Sequence, residues 1–291
     1  MASVSVRKAI LLVAGFGTRF LPVTKSLPKE MLPIVDKPQI QYLVEEIVAS
    51  GIKEIIFVTG RGKRAIEDHF DESFELEETL AEKGKHELLK EVRAISQLAK
   101  FAYVRQPRPH GHGEAILRAA HLFANEPVAV FFGDDIIDGP APALKQLIPV
   151  YERFGDPVVA LARLPKSEIS KFGVVKVRPA GTGSRTYEIL DFVEKPKPSD
   201  APSSFAIIGK YILTPSFFDT LRKLQKTHQK ELNVGDGIVE YIKKRPIYGY
   251  EVKGTWYDCG DKLGYLKANI AYARKRKELS KGLNAFLRKS Q

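Results

Sequence analysis

The chain has 291 residues, of which 44% are hydrophobic and 28% charged, with a single cysteine. That length supports a core without covalent staples, the composition excludes a disordered or low-complexity protein, and lone Cys259 excludes an internal disulfide and suits a reducing cytoplasm. Forty-six basic against thirty-five acidic residues leave a net +11, which favours anionic partners.

Residues 8–14 form a compact aliphatic run ending at glycine, the pattern of a strand buried on both faces of a parallel sheet. The run is far too short to cross a bilayer, so no membrane partner is expected. It also lacks a small-residue cleavage site, and no secretory leader is expected. Beyond a proline-punctuated stretch, Leu43, Ile47 and Val48 carry helical spacing within residues 40–50, Gly51 stops the helix, and residues 54–59 read as an apolar strand. Residues 71–96 are highly charged, with Leu76, Leu80, Leu88, Leu89 and Val92 as an apolar face, and predict an inserted pair of surface helices. A strand at 101–104, a helix at 113–123 and a strand at 127–132 continue the alternation, which implies a mostly parallel sheet with right-handed crossovers. From residue 158 the texture changes to short β-like runs at 158–162, 173–177, 187–194 and 205–213. Leu263, Leu266, Ile270 and Ala273 then recur at intervals of three and four, an amphipathic helix that packs either on its own body or on a second subunit. Residues 272–291 hold seven basic residues against one acidic, a net of +6, so the body is unexceptional in charge and a nucleic-acid partner is disfavoured.

The stretch Ala14-Gly15-Phe16-Gly17-Thr18-Arg19 follows the first strand, with Lys29 ten residues after Arg19. Glycines there let backbone amides approach phosphate oxygens, while Arg19 and Lys29 supply positive charge, the makings of a triphosphate cradle. A dinucleotide fingerprint would need a third glycine where Phe20 stands. Gly60-Arg61-Gly62-Lys63-Arg64 is too short between its glycines for a P-loop and reads as a strand-to-helix turn. Asp134 falls at the carboxyl edge of the sheet, where open α/β folds bind ligands; it suits Mg²⁺ or else caps a turn, and Asp135 should point the other way. Asp258 is a possible second metal ligand, although its segment, residues 254–260, taken alone reads as a turn. Glu194 and Lys195 suit a sugar's hydroxyls and its phosphate, or make a solvated charged turn. Gln106 opens a loop reaching Gly111 and Glu114, where an amide reads the edge of a base. His110, His112 and Glu114 lack a later His or Cys at a spacing that would complete a zinc site. Neither a GxSxG segment nor a histidine partner for Cys259 supports a covalent nucleophile.

Gly15-Phe16-Gly17-Thr18-Arg19-Phe20-Leu21-Pro22, with Lys25, Pro28-Lys29-Glu30 and Pro33, resembles the GxGTRxxPxTxxxPKxxxP signature of the sugar-1-phosphate nucleotidylyltransferases. The charged insert, Phe172-Gly173-Val174-Val175, Val193-Glu194-Lys195-Pro196-Lys197 and Trp256-Tyr257-Asp258-Cys259-Gly260 extend the resemblance, in order, over about residues 8–273. It implies an α/β, Rossmann-like nucleotidyltransferase fold with a mixed, mostly parallel central sheet flanked by helices. Residues 1–261 would be the catalytic domain with its helical insert at about 71–96, and residues 262–291 an amphipathic helix and basic tail.

By matching position, the resemblance implies that Ala14, Gly15, Gly17, Thr18, Gln106 and Gly111 bind the nucleotide and that Arg19 and Lys29 grip its triphosphate. It implies Asp134 and Asp258 on Mg²⁺, Gly173 and Glu194 on glucose, and Lys195 on the sugar phosphate, with Arg19, Lys29, Asp134 and Lys195 as the catalytic set. The implied reaction joins UTP and α-D-glucose 1-phosphate into UDP-glucose and pyrophosphate, in a homo-oligomer; another base such as that of dTTP, or a catalytically silent sugar-nucleotide sensor, are the alternatives. The chain departs from the family's usual residues at His110, His112 and Glu114, at Gly133 and Cys259, and in the run from Leu232 to Gly237.

Overall fold

The apolar runs of the N-terminal half become adjacent parallel strands, and their common ends define one edge of the molecule. The computed structural model describes residues 5–289 except 124, 183, 228 and 229. In chain order its elements are β1 (Lys8–Leu12), the two-residue strands β2 (Pro33–Ile34) and β3 (Lys37–Pro38), α1 (Gln39–Ala49), β4 (Glu54–Thr59), α2 (Arg64–Phe70), α3 (Phe74–Glu82), α4 (His86–Ser96), β5 (Lys100–Arg105), α5 (His112–Ala119), β6 (Val128–Phe132) and β7 (Asp135–Asp138). Then follow α6 (Ala143–Phe154), β8 (Val158–Arg163), β9 (Gly173–Pro179), β10 (Thr186–Glu194), β11 (Phe205–Leu213), α7 (Pro215–Thr227), α8 (Val234–Tyr241), β12 (Tyr248–Glu251), β13 (Thr255–Asp258), α9 (Lys262–Lys275) and α10 (Lys277–Lys289).

The central sheet runs β5-β4-β1-β6-β11-β8-β12-β10-β9. Strands β5, β4, β1 and β6 are mutually parallel, as their βαβ connections require. Beyond β6 the sheet is mixed: β11 is antiparallel to β6 and β8, β8 is parallel to β12, and β10 is antiparallel to β12 and β9. Continuous apolarity in β1 has a direct cause. Ala9, Leu11 and Val13 enter the core on one side of the sheet, and Ile10 and Leu12 the core on the other.

Three registers place the functional edge. Leu12 pairs with Val58 and Phe132, so β1, β4 and β6 end level and the loops after β1 and β6 emerge side by side. Antiparallel pairing of β13 with β7 sets Asp258 opposite Asp135. Pairing of β9 with β10 sets Gly173 opposite Glu194.

The charged insert is the helix pair α3–α4; Leu80 and Leu89 are its buried contacts, whereas Leu76 and Leu88 face solvent. Helix α9 meets the body through Tyr265, whose ring stands edge-on to Phe20, through buried Ala268, and through Tyr272 against Tyr42. The stripe Leu263, Leu266 and Ile270 therefore faces outward, 58%, 55% and 38% exposed, and is not what docks the helix on its own body. Among the described residues no helix is long and apolar enough to cross a membrane.

Candidate active site

A cavity of about 550 Å³ opens over the carboxyl ends of β1 and β6, and every site residue expected from the sequence lines it. Ala14, Gly15, Gly17, Thr18, Arg19 and Lys29 come from the glycine loop and the segment after it; Gln106 and Gly111 precede α5; Asp134 follows β6; Gly173, Glu194 and Lys195 belong to the ends of β9 and β10; Asp258 ends β13.

The glycine loop is shaped by one left-handed residue. Gly17 has φ 66°, a left-handed backbone that favours glycine, and a Cβ there would crowd Lys29 Cβ at 3.1 Å and Thr24 Cγ2 at 3.2 Å. Thr24 Oγ1 donates to the Gly17 carbonyl at 2.8 Å. Arg19 reaches across to donate to the Gly260 carbonyl at 3.4 Å, tying the loop to the turn after β13.

Lys29 Nζ lies 2.5 Å from Asp134 Oδ2 although 105 residues separate them. Burial works against the ammonium, but the charges of Asp134, Glu30 and Asp135 outweigh it and hold Lys29 above the ordinary lysine range. Burial likewise disfavours charge on Asp134. Lys29, with lesser help from His112 and Arg19, outweighs that burial and holds the Asp134 carboxyl below its usual range.

Asp258 Oδ1 accepts from the Gly260 amide at 2.9 Å, and the Cys259 amide donates to the Asp134 carbonyl at 2.8 Å. A Cβ on Gly260 would sit 2.3 Å from Asp134 Oδ2 and 3.0 Å from Asp258 Oδ1, so the two carboxylates converge on one point kept clear by a glycine. Burial, then the charge of Asp134, pushes the Asp258 carboxyl up. Two hard oxygen donors, one of which raises the proton affinity of the other, fit a divalent cation such as Mg²⁺, which takes its remaining ligands from water and phosphate oxygens. Among the described residues no cluster of three or more potential ligands offers an all-protein cage.

Asp135 does not share the Lys29 contact of its neighbour. It accepts from Trp256 Nε1 at 2.6 Å, yet it stays buried and lines the same cavity, because its strand pairs with β13 instead of opening to solvent. Burial, with Asp134 and Asp258 adding to it, pushes its carboxyl up to about 8.

At the ends of β9 and β10, Gly173 lies under the ring of Phe192: a Cβ there would be 2.5 Å from Phe192 Cε2 and 3.2 Å from Glu194 Oε2. Lys195 takes φ 48°, unusual for a side-chain-bearing residue, and its amide donates to the Phe172 carbonyl at 3.1 Å. Its ammonium stands 3.4 Å from Glu194 Oε1 at the open mouth, where both side chains are 60% exposed.

Sequence reasoning missed several of the wall's residues. Phe192, Phe132 and Lys171 line it without any local motif to mark them, and Trp256 lines it from a motif that was read only for Asp258. Lys63, read as part of an ordinary turn, is buried beneath the site and pairs with Glu30 Oε2 at 2.7 Å; a lysine opening a helix directly after a buried strand was the available signal. His112 sets its ring against Phe132, centroids 4.5 Å apart, and the water it loses there lowers its pKa.

The chain matches the nucleotidyl transferase family over residues 8–275 and belongs to it. It is 48% identical over 283 residues to the UTP–glucose-1-phosphate uridylyltransferase of Staphylococcus epidermidis, covering 97% of this chain and 98% of that one. With a UTP–glucose-1-phosphate uridylyltransferase of Bacillus subtilis it shares 47% identity over 97% of this chain and 94% of the relative. Among solved structures, UDP-glucose pyrophosphorylase complexed with UDP-glucose superposes with a TM-score of 0.83 at 42% identity, covering 93% of this chain and 100% of that one. UTP-bound UGPase from Acinetobacter baumannii superposes with a TM-score of 0.89 at 35% identity, covering 97% and 98%.

Proposed function

We propose that the chain transfers a uridylyl group from UTP to α-D-glucose 1-phosphate, giving UDP-glucose and pyrophosphate, the activity that the names of its relatives carry. The observation that supports this most is the meeting of Lys29 with Asp134 at 2.5 Å in a cavity that also takes in Arg19, Lys195 and Asp258. Cations from three segments and two convergent carboxylates suit a pair of polyanions that repel each other.

The nucleophile is a sugar-phosphate oxygen, already ionised at neutral pH, so the step needs no general base. What remains is in-line placement of that oxygen on the α-phosphorus and neutralisation of the charge there. Arg19 and Lys29 hold the triphosphate, with the amides of Gly15, Gly17 and Thr18 approaching its oxygens; Ala14, Gln106 and Gly111 hold the uracil. Gly173 and Glu194 take the glucose hydroxyls. Lys195 takes the sugar phosphate from the open mouth, where its charge is screened by water until substrate covers it. Asp134 and Asp258 would hold Mg²⁺, which when bound supplies charge neutralisation of phosphate oxygens. By analogy with oxyanion donors, each preorganised cation contributes on the order of 3 kcal/mol to lowering the barrier. The outward stripe of α9 supports a homo-oligomer, and the lone cysteine supports a cytoplasmic setting.

The test is pyrophosphate release from the purified protein with Mg²⁺, glucose 1-phosphate and, in separate reactions, UTP, dTTP, CTP, ATP and GTP. Release is expected to be fastest with UTP and to require the sugar phosphate. Faster release with dTTP would make this a thymidylyltransferase, and binding of UDP-glucose without any release would make it a sensor.

A further inference from the structure

Gln106 is buried, and its amide nitrogen is fully engaged. Nε2 donates to Glu114 Oε2 at 2.6 Å and to the Gly111 carbonyl at 3.3 Å. Both partners accept only, since one is a carboxylate and the other a backbone oxygen, so the NH₂ group must face them whichever way the amide is first drawn. No hydrogen bond to Gln106 Oε1 is found among the described residues, which leaves that oxygen as the side chain's polar atom for a ligand in the cavity that Gln106 lines.

Both acceptors are themselves fixed. Glu114 is 5% exposed in the first turn of α5, and its second oxygen accepts from Arg118 Nε one turn along the same helix. The Gly111 carbonyl accepts from the Ala115 amide at 3.2 Å. The loop at Gly111 is packed on residue 232: Leu232 donates its amide to the His110 carbonyl at 3.0 Å and accepts from the Gly113 amide at 2.8 Å, and a Cβ on Gly111, whose φ is 91°, would lie 2.2 Å from the Leu232 carbonyl oxygen. The Gln106 backbone is anchored through its amide to the Thr59 carbonyl at 2.8 Å.

We infer that Glu114 is a positioning residue that fixes the direction of the Gln106 amide, so that an acceptor and not a donor meets the base, and that this selects pyrimidines with an N–H at ring position 3. Uracil and thymine carry that donor, whereas the corresponding ring nitrogen of cytosine is an acceptor and would face Oε1 lone pair to lone pair. A fixed acceptor left without its donor is penalised strongly, which is how a polar site rejects a near-isostere. Arg118 acts one step further out, by holding Glu114. The inference rests on the reading that a uracil nucleotide occupies this cavity, and it adds the reason that cytosine is refused.

The experiment is calorimetric binding of UTP and of CTP to the wild-type protein and to the variants Glu114→Gln and Arg118→Ala, with pyrophosphate release measured beside it. The amide introduced by Glu114→Gln offers Gln106 either a donor or an acceptor, so the Gln106 side chain is free to turn; Arg118 is half exposed, and its loss loosens Glu114 without touching the cavity wall. Wild type is expected to favour UTP over CTP by about a hundredfold or more. Glu114→Gln should cut that ratio at least about tenfold, and Arg118→Ala should cut it in the same direction by less. A wild-type ratio near one overturns the inference. So does a ratio unchanged in the variants while affinity for both nucleotides falls together, as a merely structural Glu114 would produce. If Glu114→Gln does not fold, the ratio in Arg118→Ala decides. A wild type that prefers UTP but releases no pyrophosphate would leave the amide direction standing and remove the proposed reaction instead.

Discussion

Lys63 Nζ lies 2.7 Å from Glu30 Oε2, with both side chains buried next to the residue that carries the cavity's central cation, Lys29. Burial raises the Glu30 pKa and lowers that of Lys63, so for each partner loss of water outweighs the attraction of the other. Glu30 Oε1, moreover, is buried without a hydrogen-bond partner. The pair is thus a positional device with little net electrostatic gain. Glu30→Ala should cost about 3–5 kcal/mol in urea unfolding, because it strands an ammonium in the core. Replacing both, as Glu30→Leu with Lys63→Met, should cost far less; equal losses would mean that packing and not charge sets the penalty.

Lys29 and Asp134 should matter to rate far more than to folding. Lys29→Ala or Asp134→Asn is expected to lower turnover by about 10²–10³-fold with the far-ultraviolet spectrum unchanged. Steady-state pyrophosphate release checks this, and near-normal rates would remove both residues from the catalytic set.

Asp135 gives the protein a pH dependence of known sign. Its folded pKa of about 8 lies above the ordinary value of 3.8, so between those values the folded state holds a proton that the unfolded chain has released. Stability from this group is full at acid pH and is lost as pH rises towards 8. Asp135→Asn removes the titration while its carbonyl still accepts from Trp256. The variant's urea midpoint, taken without added metal, should exceed that of wild type at about pH 9, and the gap should narrow at about pH 5. A variant less stable at both would show that the buried carboxylate is compensated after all.

His112 shifts in the opposite sense. Loss of water where the ring meets Phe132 depresses its folded pKa, so the unfolded chain takes up a proton that the folded one refuses, and stability falls as pH drops below the ordinary imidazole value of about 6.5. His112→Phe keeps the contact with Phe132 and should lessen that acid loss. Because the transfer needs no base, kcat should stay within about tenfold of wild type. A drop beyond a hundredfold would assign His112 a proton to carry.

Local pattern carried the N-terminal half of the fold. Residues 54–59 read as the strand that forms, since a doubly buried parallel strand is continuously apolar and both its ends are marked. The glycine loop and Asp134 were legible for the same reason: each follows such a strand at the sheet edge. Asp258 was ambiguous alone because its placement depends on β13 pairing with β7, more than a hundred residues away. That Asp135 stays in the cavity wall was not legible, because alternation along one strand says nothing of the partner strand that covers it. In α9, period three and four marked a genuine stripe but on the outward side; the aromatic pairs of Tyr265 with Phe20 and of Tyr272 with Tyr42 hold the opposite face. The link between Glu114 and Gln106 joins a loop to a helix and had no signature beyond the loop itself.

The most direct test of the convergence of these scattered charges on one pair of ligands is a crystal structure with UDP-glucose and Mg²⁺ bound. The expected result is the uracil against Gln106, the diphosphate against Arg19, Lys29 and Lys195, and the metal shared by Asp134 and Asp258. UDP-glucose seated outside this cavity, or a metal held by neither aspartate, would contradict it.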